Sequence, residues 1–514
     1  MRSCLVLGSL LVAASSLAGC FAPEEDDADR SEADLTSTSE FGAGCSAPVR
    51  SDDGAYVVLD LCPADGAAGR VVRLDIASGE KQEVATYPAT DRLERLSAKG
   101  SRFFFGVRHE VDRAGRATAG IDVSVHDWSL TQSRTIPTAP PSGAPGGFRT
   151  LETLMLSADG SHIAFSASDG ALASYLFVAP VTGDVAPIGV DLGIPSDELR
   201  WSASGASFVG HQADPTPWTG ETLVLVDVGG AETATIVGKR HVSFNSFEFG
   251  QGGARRQSPF DGARVVGFKK NADGSFSVGT SDPRTGEEKV LDTAPVLSIV
   301  SDLGSDILYT RVTDVAEGGV KRELVKMPRA GGEPTILVEK TTETLDELAY
   351  GFDPLALEAG GSVGVFQTRE GTATVLLLVK LDGSGAEEMS ALRVGEQVGS
   401  KLLLEYMPSG EGAAPSFDVL DLQTGERTSA GASSRKPAVM AGDGSVFQLE
   451  PCRMEDGSSG ISVTRPASGG APGACARMPW AVTPLAAPSS GAIVFYSSYG
   501  PFPNYRYDVG IVKP

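Results

Sequence analysis

A short unit of turns and strands recurs ten times along this chain of 514 residues and constrains its fold more than any other feature. Each unit opens with a polar turn ending in glycine, and its fullest copy runs from Leu156 to Val190. Runs rich in Val, Ile, Leu, Phe and Tyr follow, at the length of half-buried strands. Tight turns need a residue that tolerates positive φ, so the pattern predicts successive hairpins. The turn glycines are Gly54, Gly100, Gly160, Gly205, Gly262, Gly304, Gly361, Gly399, Gly444 and Gly491.

A second glycine turn recurs within the unit, which makes about four strands in about 45 residues. That is the blade of a β-propeller, so we expect residues 45–514 to form an all-β propeller of four-stranded antiparallel blades. Ten units exceed the usual range of about four to eight blades. We favour one ring of about seven to ten blades, some of them partial, over two smaller propellers in tandem. The second turns contain Gly79, Gly183, Gly229, Gly286, Gly331, Gly383, Gly425 and Gly469.

Two units carry a recognisable motif. LRWSASGASFVG around Trp201 and LSADGSHIAF from Leu156 are similar to the TolB-like and WD40-like propeller repeats. This resemblance extends loosely over residues 45–514. It implies a propeller fold but no particular activity.

The N-terminal residues have the pattern of an export signal. Arg2 is followed by an uncharged apolar run of a length typical of a secretory signal and too short to span a bilayer. A transmembrane anchor or an ordinary cleaved signal is the alternative. The ending Leu17-Ala18-Gly19-Cys20 resembles the lipobox of bacterial lipoproteins. The resemblance implies that residues 1–19 are removed and that Cys20 carries lipid, palmitate included. Because Phe21 rather than aspartate follows, it also implies the outer membrane, facing the periplasm or the cell surface.

Residues 20–44 are expected to form a lipidated, disordered tether. Eight acidic residues stand there against Arg30, with few large apolar side chains that could build a core. The formal net charge of the whole chain is −23. Such a surface repels phosphate backbones, so we do not expect nucleic acid as a partner.

Six cysteines are present, and four remain once Cys4 and Cys20 are set aside. An even number in an exported chain predicts disulfides. We favour the local pairs Cys45–Cys62 and Cys452–Cys475, with bridges between the two ends of the chain as the alternative. No C-x-x-C spacing occurs, and no metal or cofactor is predicted.

No motif supports a catalytic assignment. Ser362 fits G-x-S-x-G, but it falls where a hairpin turn belongs and no histidine follows it, the last being His241. The five histidines have no metal-binding spacing, and His162 is predicted to be a solvated residue at a strand start. We therefore predict that the chain is not an enzyme.

Two surfaces are candidates for binding. Residues 239–270 carry an excess of basic side chains, which either form a docking patch for an anionic partner or alternate around a blade. Loop aromatics either recognise a partner or cap the barrel locally. The function predicted is a lipid-anchored, non-catalytic interaction module for an unknown envelope protein or glycan. The alternative is an enzyme that cleaves glycans or peptides, with convergent titratable groups at the channel mouth. The candidate binding residues are Arg255, Arg256, Trp218, Tyr499, Phe502 and Tyr505.

Overall fold

A computed structural model describes residues 46–512, apart from internal segments. The longer of these are 62–66, 111–119, 139–146, 169–173, 192–198, 214–219, 250–254, 315–319, 343–350, 407–415, 433–437, 465–475, 478–482, 487–492 and 500–505. Shorter gaps are 149, 158, 184–186, 203–204, 206, 230–232, 245–246, 258–259, 261, 304, 359, 371–372, 390–391, 441–443, 454–456 and 458. The predicted signal and tether lie outside the described residues and stay predictions. Over the described ranges, no helix is long and apolar enough to cross a membrane.

The described strands form ten sheets, which we call blades 1 to 10, and one two-stranded ribbon. Blade 1 comprises β1 (Val49–Arg50), β2 (Tyr56–Leu61), β3 (Gly69–Asp75) and β4 (Lys81–Tyr87). Blade 2 comprises β5 (Arg92–Lys99), β6 (Arg102–Arg108), β7 (Ile121–Asp127) and β8 (Ser133–Thr138). Blade 3 comprises β9 (Thr150–Leu156), β10 (His162–Ser168), β11 (Ser174–Pro180) and β12 (Ile188–Asp191). Blade 4 comprises β13 (Leu199–Trp201), β14 (Ser207–Ala213), β15 (Glu221–Gly229) and β16 (Thr233–Val242).

The ribbon consists of β17 (Phe247–Phe249) and β18 (Arg255–Gln257) and precedes blade 5. Blade 5 has three described strands, β19 (Val265–Lys270), β20 (Phe276–Ser281) and β21 (Glu288–Asp292). They correspond to the second, third and fourth strands of the other blades, because Phe260 pairs with Val265 across the preceding hairpin turn. Blade 6 comprises β22 (Val296–Asp302), β23 (Asp306–Asp314), β24 (Val320–Pro328) and β25 (Thr335–Thr342). Blade 7 comprises β26 (Asp353–Ala356), β27 (Val363–Glu370), β28 (Ala373–Lys380) and β29 (Ala386–Met389). Blade 8 comprises β30 (Leu392–Val398), β31 (Lys401–Tyr406), β32 (Ser416–Asp421) and β33 (Arg427–Ala432).

Blade 9 comprises β34 (Ala438–Met440), β35 (Val446–Arg453), β36 (Ser459–Thr464) and β37 (Ala476–Arg477). Blade 10 has three described strands, β38 (Thr483–Ala486), β39 (Ile493–Tyr499) and β40 (Arg506–Val512). In every blade the strands pair antiparallel in chain order. The prediction of an all-β propeller of four-stranded antiparallel blades is confirmed.

The blades close into a ring. First strands of neighbouring blades contact each other, as β1 does β5, β5 does β9, β22 does β26, β30 does β34, and β34 does β38. The last blade returns to the first, because β38 also contacts β1. The number of blades therefore stands at the upper end of the predicted range. The long connections between strands are not shared equally by the two faces of this ring.

The meander gives the ring two different faces. On one, which we call the turn face, short turns join the first strand to the second and the third to the fourth. On the other, the loop face, lie the connections between second and third strands and between successive blades. The strand ends that flank the connections from β6 to β7, β8 to β9, β25 to β26 and β31 to β32 lie on the loop face. Variable loops on a rigid scaffold are where binding residues concentrate.

The recurring turn motif has a direct physical explanation. In the β1–β2 turn the Ser51 hydroxyl donates to Asp53 (2.5 Å) and accepts the Tyr56 N–H (3.0 Å), while Gly54 takes a φ of 69°. At the third-to-fourth-strand turns an aspartate accepts a backbone N–H two or three residues on, as Asp75 and Asp421 do. These turns satisfy their own polar groups.

Of the predicted turn glycines, two differ from what is observed and three lie outside the described residues. The left-handed residue of the β26–β27 turn is Gly360 rather than Gly361, since two adjacent glycines made the choice ambiguous. Gly229 ends strand β15 instead of forming the turn. Gly304, Gly469 and Gly491 lie outside the described residues.

The core lies between blades. One cluster joins Ala164, Leu176 and Val178 of blade 3 to Val224 and Val226 of blade 4. Equivalent clusters connect blades 1 to 9 in succession. Because blades 2 to 8 each bury their faces against two neighbours, none of these seven blades has a complete core of its own.

Basic side chains tie each of several blades to the next. In each of the contacts named below, a Lys or Arg on a third or fourth strand donates to a backbone carbonyl at, or within three residues of, the end of the third strand of the following blade. We call these contacts the blade clamps. They always point toward the following blade, and hydrogen bonds from charged donors are the stronger kind. They are Arg73 to Trp128, Arg134 to Pro180, Arg240 to Arg284 (3.2 Å), Lys289 to Ala330, and Lys326 to Leu381 (2.5 Å).

Candidate functional site

A histidine on the loop face lies between two carboxylates. His109 directly follows strand β6, Asp91 directly precedes β5, and Asp122 is the second residue of β7. Because β6 ends on the loop face, where β5 and β7 begin, the antiparallel meander brings all three to one corner of blade 2. We call them the His109 cluster.

Both ring nitrogens of His109 are engaged. Nδ1 lies 2.6 Å from Asp91 Oδ2, and Nε2 lies 3.1 Å from Asp122 Oδ2. A carboxylate only accepts hydrogen bonds, so the geometry fits an imidazolium that donates from both nitrogens. Burial by itself would lower the pKa of His109, but the Asp91 hydrogen bond and the two aspartate charges outweigh it and raise the pKa.

The surroundings hold this cluster in place. Asp91 is nearly fully buried and also accepts the Glu110 N–H (3.4 Å), while the His109 N–H donates to the Gly120 carbonyl (2.9 Å). Next to it, Arg108 pairs with Glu94 (2.8 Å) and with Glu110 (3.4 Å). About a quarter of the side-chain surface remains exposed on His109 (29%) and on Asp122 (24%). The cluster is therefore both positioned and accessible.

A second charged cluster lies on the loop face between blades 5 and 6. Arg311 bridges Asp292 (2.9 Å) and the buried Glu323 (2.5 Å), and Lys321 joins Glu323 (2.9 Å) to the half-exposed Glu339 (3.1 Å). Burial would raise the pKa of Asp292, but hydrogen bonds from Tyr309, Ala294 and Arg311 lower it below its ordinary value. We call this the Arg311 cluster.

Both clusters hold charged side chains in fixed positions through ion pairs within the chain. The His109 cluster brings together titratable groups of the kind that the enzyme alternative required, with both ring nitrogens of His109 facing carboxylates. Among the described residues, no group of three His, Cys, Asp or Glu side chains is arranged to hold a metal ion. What remains is a set of partly exposed carboxylates in fixed positions.

A buried acid lies on blade 1 near the same face. Asp60 is fully buried and accepts hydrogen bonds from the Tyr87 hydroxyl (2.6 Å) and the Ser46 hydroxyl (3.2 Å). Burial raises the pKa of Asp60 to about 6, although both hydrogen bonds oppose the shift. Gly69 allows this arrangement, because a Cβ there would lie 2.2 Å from the Tyr87 ring.

The structure describes few of the residues that the sequence predicted to bind a partner, to carry lipid or to form disulfides. Arg255 and Arg256 lie on β18, opposite Phe249 and Glu248. Tyr499 is the last residue of β39. Their binding role stays a prediction. Trp218, Phe502, Tyr505, Cys20, Cys45, Cys62 and Cys475 lie outside the described residues.

Cys452 is disulfide-bonded in the structure. All other cysteines lie outside the described residues, so the two predicted pairings stay predictions. Strands β1 and β2 pair antiparallel, with Val49 opposite Val58. Peptide mapping under non-reducing conditions is the direct test.

Several basic side chains of the 239–270 stretch are paired within the fold. Arg264 lies 3.0 Å from Glu287, and Lys269 lies 3.6 Å from Glu288. Arg240 takes part in a blade clamp. These contacts favour the interpretation in which the charges alternate around a blade.

Two histidines lie in the core, and one of them corrects a prediction. His162 is buried instead of solvated, because β10 is flanked by β9 and β11 and Trp201 of the next blade packs near its ring (6.4 Å). His126 stacks between Phe103 (5.2 Å) and Phe105 (5.6 Å). Neither residue is placed to contact a ligand.

Similarity to known proteins is found among solved structures. No protein-family model matches this chain, and no curated protein matches it. It is similar to the β-propeller domain of the Trilobed protease from Pyrococcus furiosus, at 12% identity and a TM-score of 0.35, over 66% of this chain and 95% of that one. It is also similar to a structure from an analysis of two prolyl endopeptidases, at 14% identity and a TM-score of 0.33, over 73% of this chain and 54% of that one.

These likenesses correct one prediction. Both solved structures belong to peptidases, which contradicts the prediction that this chain is not an enzyme. At such low identity the likeness assigns no activity to this chain. The described residues are therefore interpreted below as a propeller with a binding face, without a statement on catalysis.

Proposed function

We propose that this protein is a β-propeller held at the bacterial cell envelope by lipid on Cys20, and that its loop face binds a partner. The Leu17-Ala18-Gly19-Cys20 ending supports the anchor, and the acidic residues 21–44 supply a tether about 25–30 Å in r.m.s. span. Three acyl chains, as in the lipoproteins that the motif resembles, suffice for stable anchoring, whereas one does not.

The contrast between the two faces carries the proposal. On the turn face, Ser and Asp side chains form hydrogen bonds within their own turns. On the loop face, the His109 cluster and the Arg311 cluster present carboxylates that are fixed by partners yet partly open to solvent. Groups held in position before binding lose little conformational freedom when a partner docks.

The charges indicate what kind of partner fits. Asp122, Glu110 and Glu339 have partly exposed carboxylate side chains, and carboxylates accept hydrogen bonds from Lys and Arg side chains. The protein as a whole is strongly acidic, which steers a basic partner toward it. We therefore propose an envelope protein with a basic surface as the partner.

Membrane fractionation tests the anchor. Wild-type protein should sediment with membranes and yield an N-terminal peptide carrying lipid at Cys20, and Cys20→Ser should remain in the soluble fraction. If Cys20→Ser stays with the membranes to the same extent as wild type, lipid on this cysteine is not the anchor.

Photo-crosslinking in intact cells tests the binding face. A photoreactive amino acid is placed at Glu110 or Asp273 on the loop face, and at Ser78 or Gln423 on the turn face as matched exposed controls. We expect a discrete crosslinked protein from the loop-face positions and none from the turn-face positions. Crosslinks that arise only from the turn face, or equally from both, contradict the proposal.

A further inference from the structure

Strand β5 has three exposed side chains, and all three are basic: Arg92, Arg95 and Lys99. We call them the β5 stripe. As the first strand of blade 2, β5 contacts the first strands β1 and β9 of the two neighbouring blades. The blade faces pack against those neighbours, so the surface left open on β5 borders the channel along the ring axis. The stripe therefore runs along the channel wall from the loop face toward the turn face.

The register of β5 places the stripe on one side of the strand. A β-bulge adds Glu94, since Leu93 pairs with Val107 and Arg95 with Gly106. With this extra residue, the apolar side chains of β5 all turn toward blade 1, where they pack on the cluster between blades 1 and 2. The basic side chains take the opposite side, toward blade 3. The apolar side chains are Leu93, Leu96 and Ala98.

Contacts with blade 3 confirm this direction. Arg95 Nε donates to the Leu151 carbonyl (3.0 Å) and Lys99 Nζ donates to the Leu156 carbonyl (3.2 Å), both on β9. These bonds fix the two side chains but leave their charges without a carboxylate partner. Burial lowers the pKa of Lys99, and no carboxylate in the described part of the chain opposes that shift.

The acidic side chains nearest to the stripe are engaged elsewhere. Glu94 pairs with Arg108 (2.8 Å), and Glu152 on β9 has an interaction of its own. Arg92 is exposed, and over the described ranges it forms no ion pair. The stripe is therefore a row of positive charge on the inner wall of a protein whose net charge is −23.

A strongly acidic segment of the same chain begins close to this wall. Residues 24–34, which we call the acidic segment, carry seven acidic side chains against Arg30 and precede the described residues. Ser46, the first described residue, donates to Asp60 (3.2 Å) near the loop-face end of β2. Blade 1 adjoins the stripe, because β1 contacts β5. The chain therefore enters the ring next to the mouth from which the stripe starts.

The lengths are compatible with contact between the two. From Arg92 to Lys99 a strand spans about 23 Å, and the acidic segment, when extended, spans about 33 Å. Residues 35–45 lie between the acidic segment and Ser46 and reach at most about 40 Å. That reach exceeds the step from one blade to the next. Each basic side chain of the stripe can therefore meet a carboxylate of the segment.

We propose that the acidic segment docks in the channel along β5, where its carboxylates accept hydrogen bonds from Arg92, Arg95 and Lys99. Exposed ion pairs are weak singly, but attachment to the same chain gives the segment a high effective concentration at the stripe. The docked segment is held reversibly and has a shorter reach than the free tether. The inference depends neither on lipid at Cys20 nor on the partner proposed for the loop face.

Crosslinking of the full-length protein in nonionic detergent tests the contact. A carbodiimide joins a lysine amine to a carboxylate that touches it, and peptide mass spectrometry locates the bond. We expect Lys99 to be joined to an acidic residue of 24–34. Lys380, an exposed lysine on blade 7, is the matched control and should not be joined to that segment.

Limited digestion with proteinase K tests the charges. The triple variant Arg92→Gln, Arg95→Gln, Lys99→Gln should lose residues 24–34 about tenfold faster than wild type, and wild type in about 0.5 M salt should do the same. The control triple variant changes exposed basic residues on other blades, Lys270→Gln, Lys380→Gln and Arg453→Gln, and should match wild type. Replacing the seven acidic residues by Asn or Gln leaves the propeller unchanged and should accelerate cleavage equally, which covers any loss of stability in the first variant.

The contrary results are distinct. If Lys99 is not joined to the acidic segment, or if cleavage is equally fast in wild type and in both charge variants, the segment does not dock. Equal crosslinking at Lys380 shows unspecific contact. In a mixture of isotopically light and heavy protein, crosslinks formed only between copies assign the stripe to the segment of a second molecule and overturn docking within one chain.

Discussion

His126 gives the clearest quantitative prediction, because a titratable ring sits in an aromatic core. Its ring stacks between Phe103 and Phe105, and within the described part of the chain its Nε2 has no hydrogen-bond partner. Burial lowers the pKa of His126 from 6.5 to about 4, with the charge of Asp127 opposing the shift. The unfolded chain therefore binds a proton at a higher pH than the folded chain does.

The sign and size of the effect follow from proton linkage. Above about pH 6.5, His126 is neutral in both the folded and the unfolded state and does not lower the free energy of unfolding. As the pH falls toward about 4, stability is lost because only the unfolded state gains a proton. At about 1.4 kcal/mol for each pKa unit, the full loss is about 3 kcal/mol, of which about 2 kcal/mol is present at about pH 5.

Replacing His126 by Phe removes this contribution while keeping a flat aromatic ring. We expect His126→Phe to be within about 1 kcal/mol of wild type near neutral pH, since the swap nearly conserves volume. Near pH 5 the variant should be more stable by about 2 kcal/mol. Urea unfolding followed by circular dichroism measures the difference, provided both proteins unfold with the same slope.

Asp60 gives a parallel prediction, in which stability changes with pH in the opposite direction. Its pKa is raised from 3.8 to about 6, so its stabilising neutral form is present at low pH and stability is lost as the pH rises from about 4 to 6. Asp60→Asn should therefore gain stability near neutral pH and not near pH 4. If the pH profiles of wild type, His126→Phe and Asp60→Asn are parallel, the assignment of these buried groups is wrong.

Three further changes probe the ring and its loop face. Arg284→Gln removes a bidentate pair with Asp227 across blades 4 and 5. Because both side chains are over a third exposed, we expect the free energy of unfolding in urea to fall by only about 1 kcal/mol. No loss contradicts a role for this ion pair in joining the two blades. Gly69→Ala forces the Tyr87 ring aside and should lower stability by about 1–3 kcal/mol, whereas an unchanged melting temperature means that the ring has room to move. The stability that His109 contributes should be present below about pH 6.5 and lost as the pH rises through its raised pKa. His109→Gln should abolish that loss, and a variant that keeps it shows that another group is responsible.

The repeat made the sheets predictable because its signal is local. A glycine with positive φ and an aspartate at a strand end act within a few residues, so the hairpins can be read from neighbouring positions. The same local rule failed at Gly360, where two adjacent glycines satisfy it equally. It also failed at His162, because burial there comes from Trp201 in the next blade and not from the turn.

The candidate site could not be predicted from local sequence patterns. Asp91, His109 and Asp122 each end or begin a different strand, and only the closed meander brings them to one corner. A histidine one residue past a strand end, with aspartates at the starts of the strands on either side, is the signal that could have indicated it. The blade clamps depend on how neighbouring blades are rotated, which no single repeat encodes.

Closure of the ten blades into one ring is the claim on which the two faces depend. Small-angle X-ray scattering of the soluble propeller tests it most directly. A flat ring predicts a pair-distance distribution with one broad maximum and a short maximum dimension relative to its mass. A distribution with two maxima, as two separate lobes produce, would contradict the single ring and with it the division into a turn face and a loop face.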